Sequence, residues 1–163
     1  MSNDTTIKNL NKALQMEMAA AHQYQLNAQR LDDWGLSKLA AQMREEMQEE
    51  WGHSDRFIAR VLFLKGVPEI AFEKTPVLHD SLVDLLKADL ADEENAIAVY
   101  TKAAREAYEV GDIGTKALFE EIVLDEEGHK AWLELQLDLI ERLGEKTYSS
   151  KLVTIGGDAE ETD

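Results

Sequence analysis

The sequence predicts an all-α protein: a four-helix bundle with a long crossover between its second and third helices. Apolar residues recur at helical spacing through four long segments. Both prolines, Pro68 and Pro76, fall in the one stretch that separates the second segment from the third. A polar constellation in the first half, Glu17 with Glu50 and His53, returns 76 positions later as Glu93, Glu126 and His129. With 163 residues the chain is one domain, large enough to bury a core without covalent staples.

The first helix is predicted from about Thr5 to Leu31, with Ile7, Leu10, Ala13, Leu14, Ala21 and Ala28 on its apolar face, Asp4 as N-cap, and Trp34-Gly35 marking its end. The second runs from about Ser37 to Lys65, closed by Gly66 in the left-handed position that ends many helices. Gly66 to His79 reads as the crossover. A third helix spans about Asp80 to Glu109 and breaks at Gly111-Asp112; a fourth spans about Ile113 to Leu143 and stops at Gly144. Short outer links make each pair of helices an antiparallel hairpin, and the long middle link brings helices two and three parallel. Lys146 to Val153 is expected to form a short C-terminal fifth helix. The domain is placed at 1–153, and 154–163 is expected to be an acidic, disordered tail.

Composition excludes several classes. No cysteine means no disulfide, no thiolate metal site and no iron–sulfur cluster. The 33 acidic residues against 17 Lys and Arg argue against nucleic acid, whose phosphates need a basic patch. No apolar run reaches membrane-spanning length, and the N-terminus lacks signal-peptide character, so a cytoplasmic address is expected.

The duplicated constellation carries the chemistry. Glu and His at i, i+3 share a helix face, so Glu50/His53 and Glu126/His129 each aim a carboxylate and an imidazole at one place. A lone inward Glu on each other helix, Glu17 and Glu93, completes four carboxylates and two imidazoles, the set that a metal pair inside a four-helix bundle requires. Four glutamates balance two divalent cations, and carboxylate with imidazole but no thiolate suits iron or manganese, with Zn²⁺ a competitor. By symmetry Glu50 and Glu126 are assigned as bridges, Glu17 and Glu93 as terminal ligands. A single Glu-x-x-His on a charged helix is more often a surface pair than a ligand; six coincident positions are not.

Tyr24 and Tyr100 each follow a lone glutamate by seven residues, on the ligand face, as hydrogen-bond donors to ligand carboxylates, as one-electron reductants, or as core tyrosines. Asp89, one turn before Glu93, is expected to accept the N–H of a ligand histidine. His22 and His79 fall outside the repeat. Met16, Met18, Met43 and Met47, like Trp34, Trp51 and Trp132, read as packing or contact residues.

These stretches, with His22-Gln23-Tyr24, Trp34-Gly35-Leu36, Leu62-Phe63-Leu64-Lys65-Gly66-Val67-Pro68, Asp125-Glu126-Glu127-Gly128-His129 and Leu137-Asp138-Leu139-Ile140, make the chain resemble a bacterioferritin from about Ile7 to Tyr148. The resemblance implies a ferritin-like bundle assembled into a shell of 24 subunits. It also implies ferroxidase chemistry at two iron ions per subunit, with O₂ or H₂O₂ as oxidant and ferric mineral inside the shell. The six residues Glu17, Glu50, His53, Glu93, Glu126 and His129 carry over as the di-iron ligands. The family's auxiliary inner-surface iron site carries over to Glu45 and Glu49, where Glu45 replaces a frequent histidine. Trp51 stands where the family has the methionine that ligates haem iron. Indole has no lone pair to offer, so haem b is not expected at this position, although mixed shells with a haem-bearing subunit remain compatible with the sequence. Two rival readings are a non-storing di-iron peroxidase or oxidase on the same bundle, and a shell subunit holding a purely structural metal.

Overall fold

The computed structural model describes residues 2–155 of the chain. Helices α1 (Ser2–Asp33), α2 (Ser37–Phe63), α3 (Leu82–Glu109), α4 (Ile113–Leu143) and α5 (Glu145–Ser150) follow in order, with no strand among the described residues. Helix α1 begins two residues before Asp4, which therefore sits in the first turn instead of capping it. Its carboxylate still faces the positive end of the helix dipole. Helix α3 begins after Ser81, whose side chain accepts from Asp84 N at 3.1 Å, and not at Asp80. Asp112 caps α4 in the same way, accepting from Thr115 N at 3.0 Å.

The end of α2 corrects the sequence reading. Lys65, not Gly66, takes the left-handed conformation (φ 63°), and Gly66 N closes the turn on Val61 O at 2.9 Å. Gly66 is needed for space: a Cβ there would stand 2.9 Å from Cγ2 of Ile7. Gly35 does supply positive φ between α1 and α2, with Leu36 N bonded to Leu31 O at 2.8 Å.

The crossover lies as a strap along α1. Asn11 brackets it through Val67 O and Glu69 N, Gln15 O accepts from Glu73 N, Gln23 grips both N and O of Val77, and Arg30 reaches His79 O and Asp80. From position 11 to 30 a helix advances about 28 Å. The dozen residues from 67 to 79 can extend to about 40 Å, so the strap spans that length without tension. It returns the chain to the far end of the bundle. Asn9 in turn bonds Glu106 at 2.6 Å, and Arg60 bonds Asp112 at 2.5 Å, so α2 and α3 both finish at the end where α1 and α4 start. Helices α2 and α3 are parallel, as expected.

Two apolar clusters fill the interior. One gathers Leu31, Leu39, Met43, Leu85, Leu86 and Leu133 towards α5, whose Tyr148 hydroxyl donates to Gln136 Oε1 at 2.8 Å. The other gathers Leu10, Leu14, Val61 and Ile122 around the rings of Phe57, Tyr100 and Phe119, whose centroids lie 5.3–5.8 Å apart. Between them lies a buried polar layer. After α5, Thr154 N bonds Gly35 O at 3.3 Å, so chain contacts continue just past the expected boundary at Val153; positions 156–163 of the expected tail lie outside the described residues.

Candidate metal centre

Each helix brings one stripe to the polar layer. Helix α2 presents Met43, Glu46, Glu50, His53 and Phe57, and α4 presents Phe119, Ile122, Glu126, His129 and Leu133, at the three- and four-residue intervals of an inward face. Helices α1 and α3 add Glu17 and Glu93 among alanines and leucines. All six predicted ligands meet there, and none is more than 6 % exposed.

The six fall into two overlapping groups whose ligand atoms lie within 4.8 Å of one another: Glu17, Glu50, His53 and Glu126, and Glu50, Glu93, Glu126 and His129. Glu50 and Glu126 belong to both. His53 Nδ1 is 2.9 Å from Glu126 Oε1 and 3.5 Å from Glu17 Oε2; His129 Nδ1 is 3.1 Å from Glu50 Oε1 and 3.6 Å from Glu93 Oε1. Both Nδ1 atoms, Glu50 Oε1 and Glu126 Oε1 are buried without a hydrogen bond. Buried polar atoms normally find a partner, so four orphans converging on one point fit a site able to hold a cation.

Burial first, then the neighbouring Glu50, pushes Glu17 well above the usual carboxylate range; burial and Glu126 do the same to Glu93. Burial works against charging the imidazoles. Contacts with Glu126, Glu17 and Glu50 nevertheless raise His53 far above its ordinary value, and Glu126, Glu46, Glu50 and Glu93 raise His129. Glu126 moves down despite its burial, because Glu93 and the two imidazoles stand close beside it.

The outer contacts match expectation at the tyrosines and depart from it at Asp89. Each tyrosine reaches the lone glutamate of the opposite half: Tyr24 donates to Glu93, and Tyr100 to Glu17 at 2.5 Å. Asp89 does not reach a ligand histidine. It accepts from Asn27 Nδ2 through both oxygens at 2.9 Å, and burial raises its pKa. The outward nitrogens of the histidines meet other acids: His53 Nε2 lies 3.1 Å from Asp125 Oδ2, and His129 Nε2 lies 2.7 Å from Glu49 Oε2 and 2.8 Å from Glu46 Oε2. The repeat held a signal for two of these, since Glu49 and Asp125 immediately precede Glu50 and Glu126 and are themselves 76 apart. Glu45, expected beside Glu49, is exposed and lies outside the Glu46–Glu49–His129 group, because one residue turns a helix face by about 100°.

A cavity of about 40 Å³ leads to the layer between α1 and α3, from Glu73 and a Lys74–Asp92 ion pair at its mouth to Glu17, Glu93 and Tyr100. That volume admits a few atoms, and no organic substrate. His22 packs on Phe72 with centroids 4.6 Å apart, His79 sits in the strap, and Trp51 is half exposed on the outer side of α2.

Comparison with known proteins gives a consistent result. The ferritin-like domain family matches residues 7–143. A bacterioferritin of Rhodobacter capsulatus is 41% identical over 143 residues, 88% of this chain and 89% of that protein. One of Brucella melitensis is 39% identical over 142 residues, 87% and 88% of the two chains. Among solved structures, R. capsulatus bacterioferritin superposes with a TM-score of 0.92 at 39% identity, covering 94% of this chain and 96% of that one. Mycobacterium tuberculosis bacterioferritin BfrA superposes with a TM-score of 0.88 at 34% identity, covering 91% and 94%. The R. capsulatus structure is described as having a metal-free dinuclear site and a haem iron in a crystallographic special position.

Proposed function

Because the chain belongs to the ferritin-like family and, within it, to the bacterioferritins, we propose that it is an iron-storage subunit that oxidises Fe²⁺ at the layer between its four helices. One observation carries the reading: two overlapping sets of three carboxylates and one imidazole, buried, with their metal-facing atoms unpaired. Glu50 and Glu126 are the shared ligands of two Fe²⁺, Glu17 and His53 complete one position, and Glu93 and His129 the other. Four carboxylates match the charge of two divalent ions and favour the ferric product, a harder cation.

Taken up as substrate, two Fe²⁺ lose one electron each. O₂ gains both and, with two protons, leaves as hydrogen peroxide; with hydrogen peroxide as oxidant, the same two electrons and two protons yield two waters. The chain's own part is positional. Tyr24 and Tyr100 hold the terminal carboxylates across the bundle, Asp125 and Glu49 fix the outward N–H of each imidazole, and the narrow cavity passes a diatomic or peroxide-sized oxidant. Ferric product collects as mineral inside a closed shell of 24 such subunits in the cytoplasm. No helix of the described residues is long and apolar enough to cross a membrane. Haem b has no ligand in Trp51, so electrons for iron release arrive by another route or through a haem-bearing subunit in a mixed shell.

The test is anaerobic Fe²⁺ titration of the apoprotein followed by oxygenation. Two Fe²⁺ per subunit oxidised quickly, then slower growth beyond that stoichiometry without a Soret band, is the expected result. Glu50→Ala and Glu126→Ala should each abolish the fast phase. Saturation at two Fe²⁺ with no later growth would identify a non-storing di-iron enzyme, and no O₂ consumption at all a structural metal site.

A further inference from the structure

The cavity between α1 and α3 is lined by acids. Among the described residues along it, seven carry carboxylates and one, Lys74, carries a positive charge. Glu73 and Asp92 stand at the mouth, the buried Asp89 lies further in, and Glu17 and Glu93 close the inner end. Like charges gathered in a narrow cleft focus their field and draw in ions of the opposite sign. Size does not separate a metal ion from an oxidant of a few atoms in so small a space; charge does.

Lys74 belongs to the strap and reaches across the opening to Asp92 on α3. The other polar anchors of the strap described above run to α1, at Asn11, Gln15, Gln23 and Arg30. As a fastening the pair is weak, because exposed ion pairs contribute little to stability and these side chains are 55 % and 34 % exposed. Its place is what distinguishes it: the ammonium stands where an entering cation first meets the acidic lining. Its charge is felt inside as well. Burial raises the Asp89 pKa, Asn27 and Lys74 oppose that rise, and Asp92 adds to it. The pair also lies outside the ligand repeat, since the counterpart of Asp92 is Met16, which lines the same cavity without a charge.

We propose that Lys74 sets the charge selectivity of this opening: its ammonium, held across the mouth by Asp92, turns away Fe²⁺ and leaves the cavity to the neutral oxidant. A tethered cation repels a divalent ion twice as strongly as a monovalent one and exerts no net charge repulsion on O₂ or H₂O₂. Asp92, occupied by the ammonium, is at the same time withdrawn from the lining as a cation ligand. The inference rests on the reading of the inner layer as a metal pair, and not on the redox chemistry proposed there.

Stopped-flow mixing of the full-length, assembled apoprotein with Co²⁺, followed by the visible absorbance of the bound ion, tests it. At low ionic strength Lys74→Met should bind Co²⁺ about 3–10-fold faster than the native protein, and Lys74→Glu faster still. Lys74→Arg, which keeps the charge, should stay at the native rate. The differences should shrink as salt is added, and the amount bound at equilibrium should be the same in all four proteins. H₂O₂ mixed with protein already loaded with Fe²⁺ should not gain the acceleration. Native rates in both Lys74→Met and Lys74→Glu would overturn the proposal and leave the ferroxidase reading intact. Equal acceleration by the two, indifferent to salt or shared by H₂O₂, would also overturn it, because a loosened strap and not a lost charge would then be the cause. Faster Co²⁺ entry in a protein that consumes no O₂ with Fe²⁺ would keep the filter and remove the ferroxidase reading.

Discussion

Metal uptake should release protons in a number set by the apo centre. Glu17, Glu93, His53 and His129 all have pKa values displaced upwards, the glutamates by burial and neighbouring carboxylates and the histidines by contacts with carboxylates, and a metal-free centre that holds one proton to displace on each would carry four. Glu126 is displaced downwards and brings none. Filling the pair requires deprotonated carboxylates and imidazoles that are free at Nδ1, so all four protons must leave. Two divalent ions also bring four positive charges, so the charge of the layer is unchanged by the exchange. Each of the first two ions thus displaces two protons on average. Mass action then makes binding tighter as pH rises, by about 2.7 kcal/mol per ion per pH unit, or roughly 100-fold. The rise continues until pH passes the raised values of the folded centre, where it flattens. Titration calorimetry with Mn²⁺ at pH 6 to 7, in two buffers of different ionisation enthalpy, counts the protons directly. Release of one proton or fewer per pair, or an affinity independent of pH, would refute the argument by showing the apo layer already ionised.

Tyr100→Phe keeps the ring against Phe57 and Phe119 but removes the donor to Glu17, so Mn²⁺ affinity should fall about 10–100-fold, and Tyr24→Phe should do the same through Glu93; unchanged affinity in both would deny the phenols a role in holding the ligands. Gly66→Ala should cost about 1–3 kcal/mol in urea unfolding by driving a methyl group into Ile7, and Ile7→Ala in the same chain should recover part of it. Strictly additive losses would mean that the contact is not what demands glycine.

The helices and six candidate ligands were legible because both follow periodic rules. Stripes at three- and four-residue spacing, repeated at a fixed shift, report helix, inward face and ligand identity together. Helix α4 was placed to the residue, since Asp112 and Gly144 mark its ends chemically. The misreadings arise where contacts come from distant chain. The left-handed position falls to Lys65, and Gly66 is required instead by Ile7, nearly 60 residues earlier. Asp89 lies one turn from Glu93, but its partner is Asn27 on another helix. Glu46 was missed for a related reason: the repeat directs attention to what the halves share, and Glu46 is where they differ.

The exchange of tyrosines between the halves has an architectural consequence. Tyr24 completes Glu93, and Tyr100 completes Glu17, so neither hairpin contains a finished ligand sphere. A single hairpin joined to an identical copy about a twofold axis would assemble the same six ligands and two phenols, each phenol reaching across to its twin. The metal layer thus has the form of a homodimer interface built inside one chain. The strap from α2 to α3 makes the two halves covalently one, and Gln42 and Glu46, whose counterparts are Leu118 and Ile122, are places where one half carries a polar residue that the other does not.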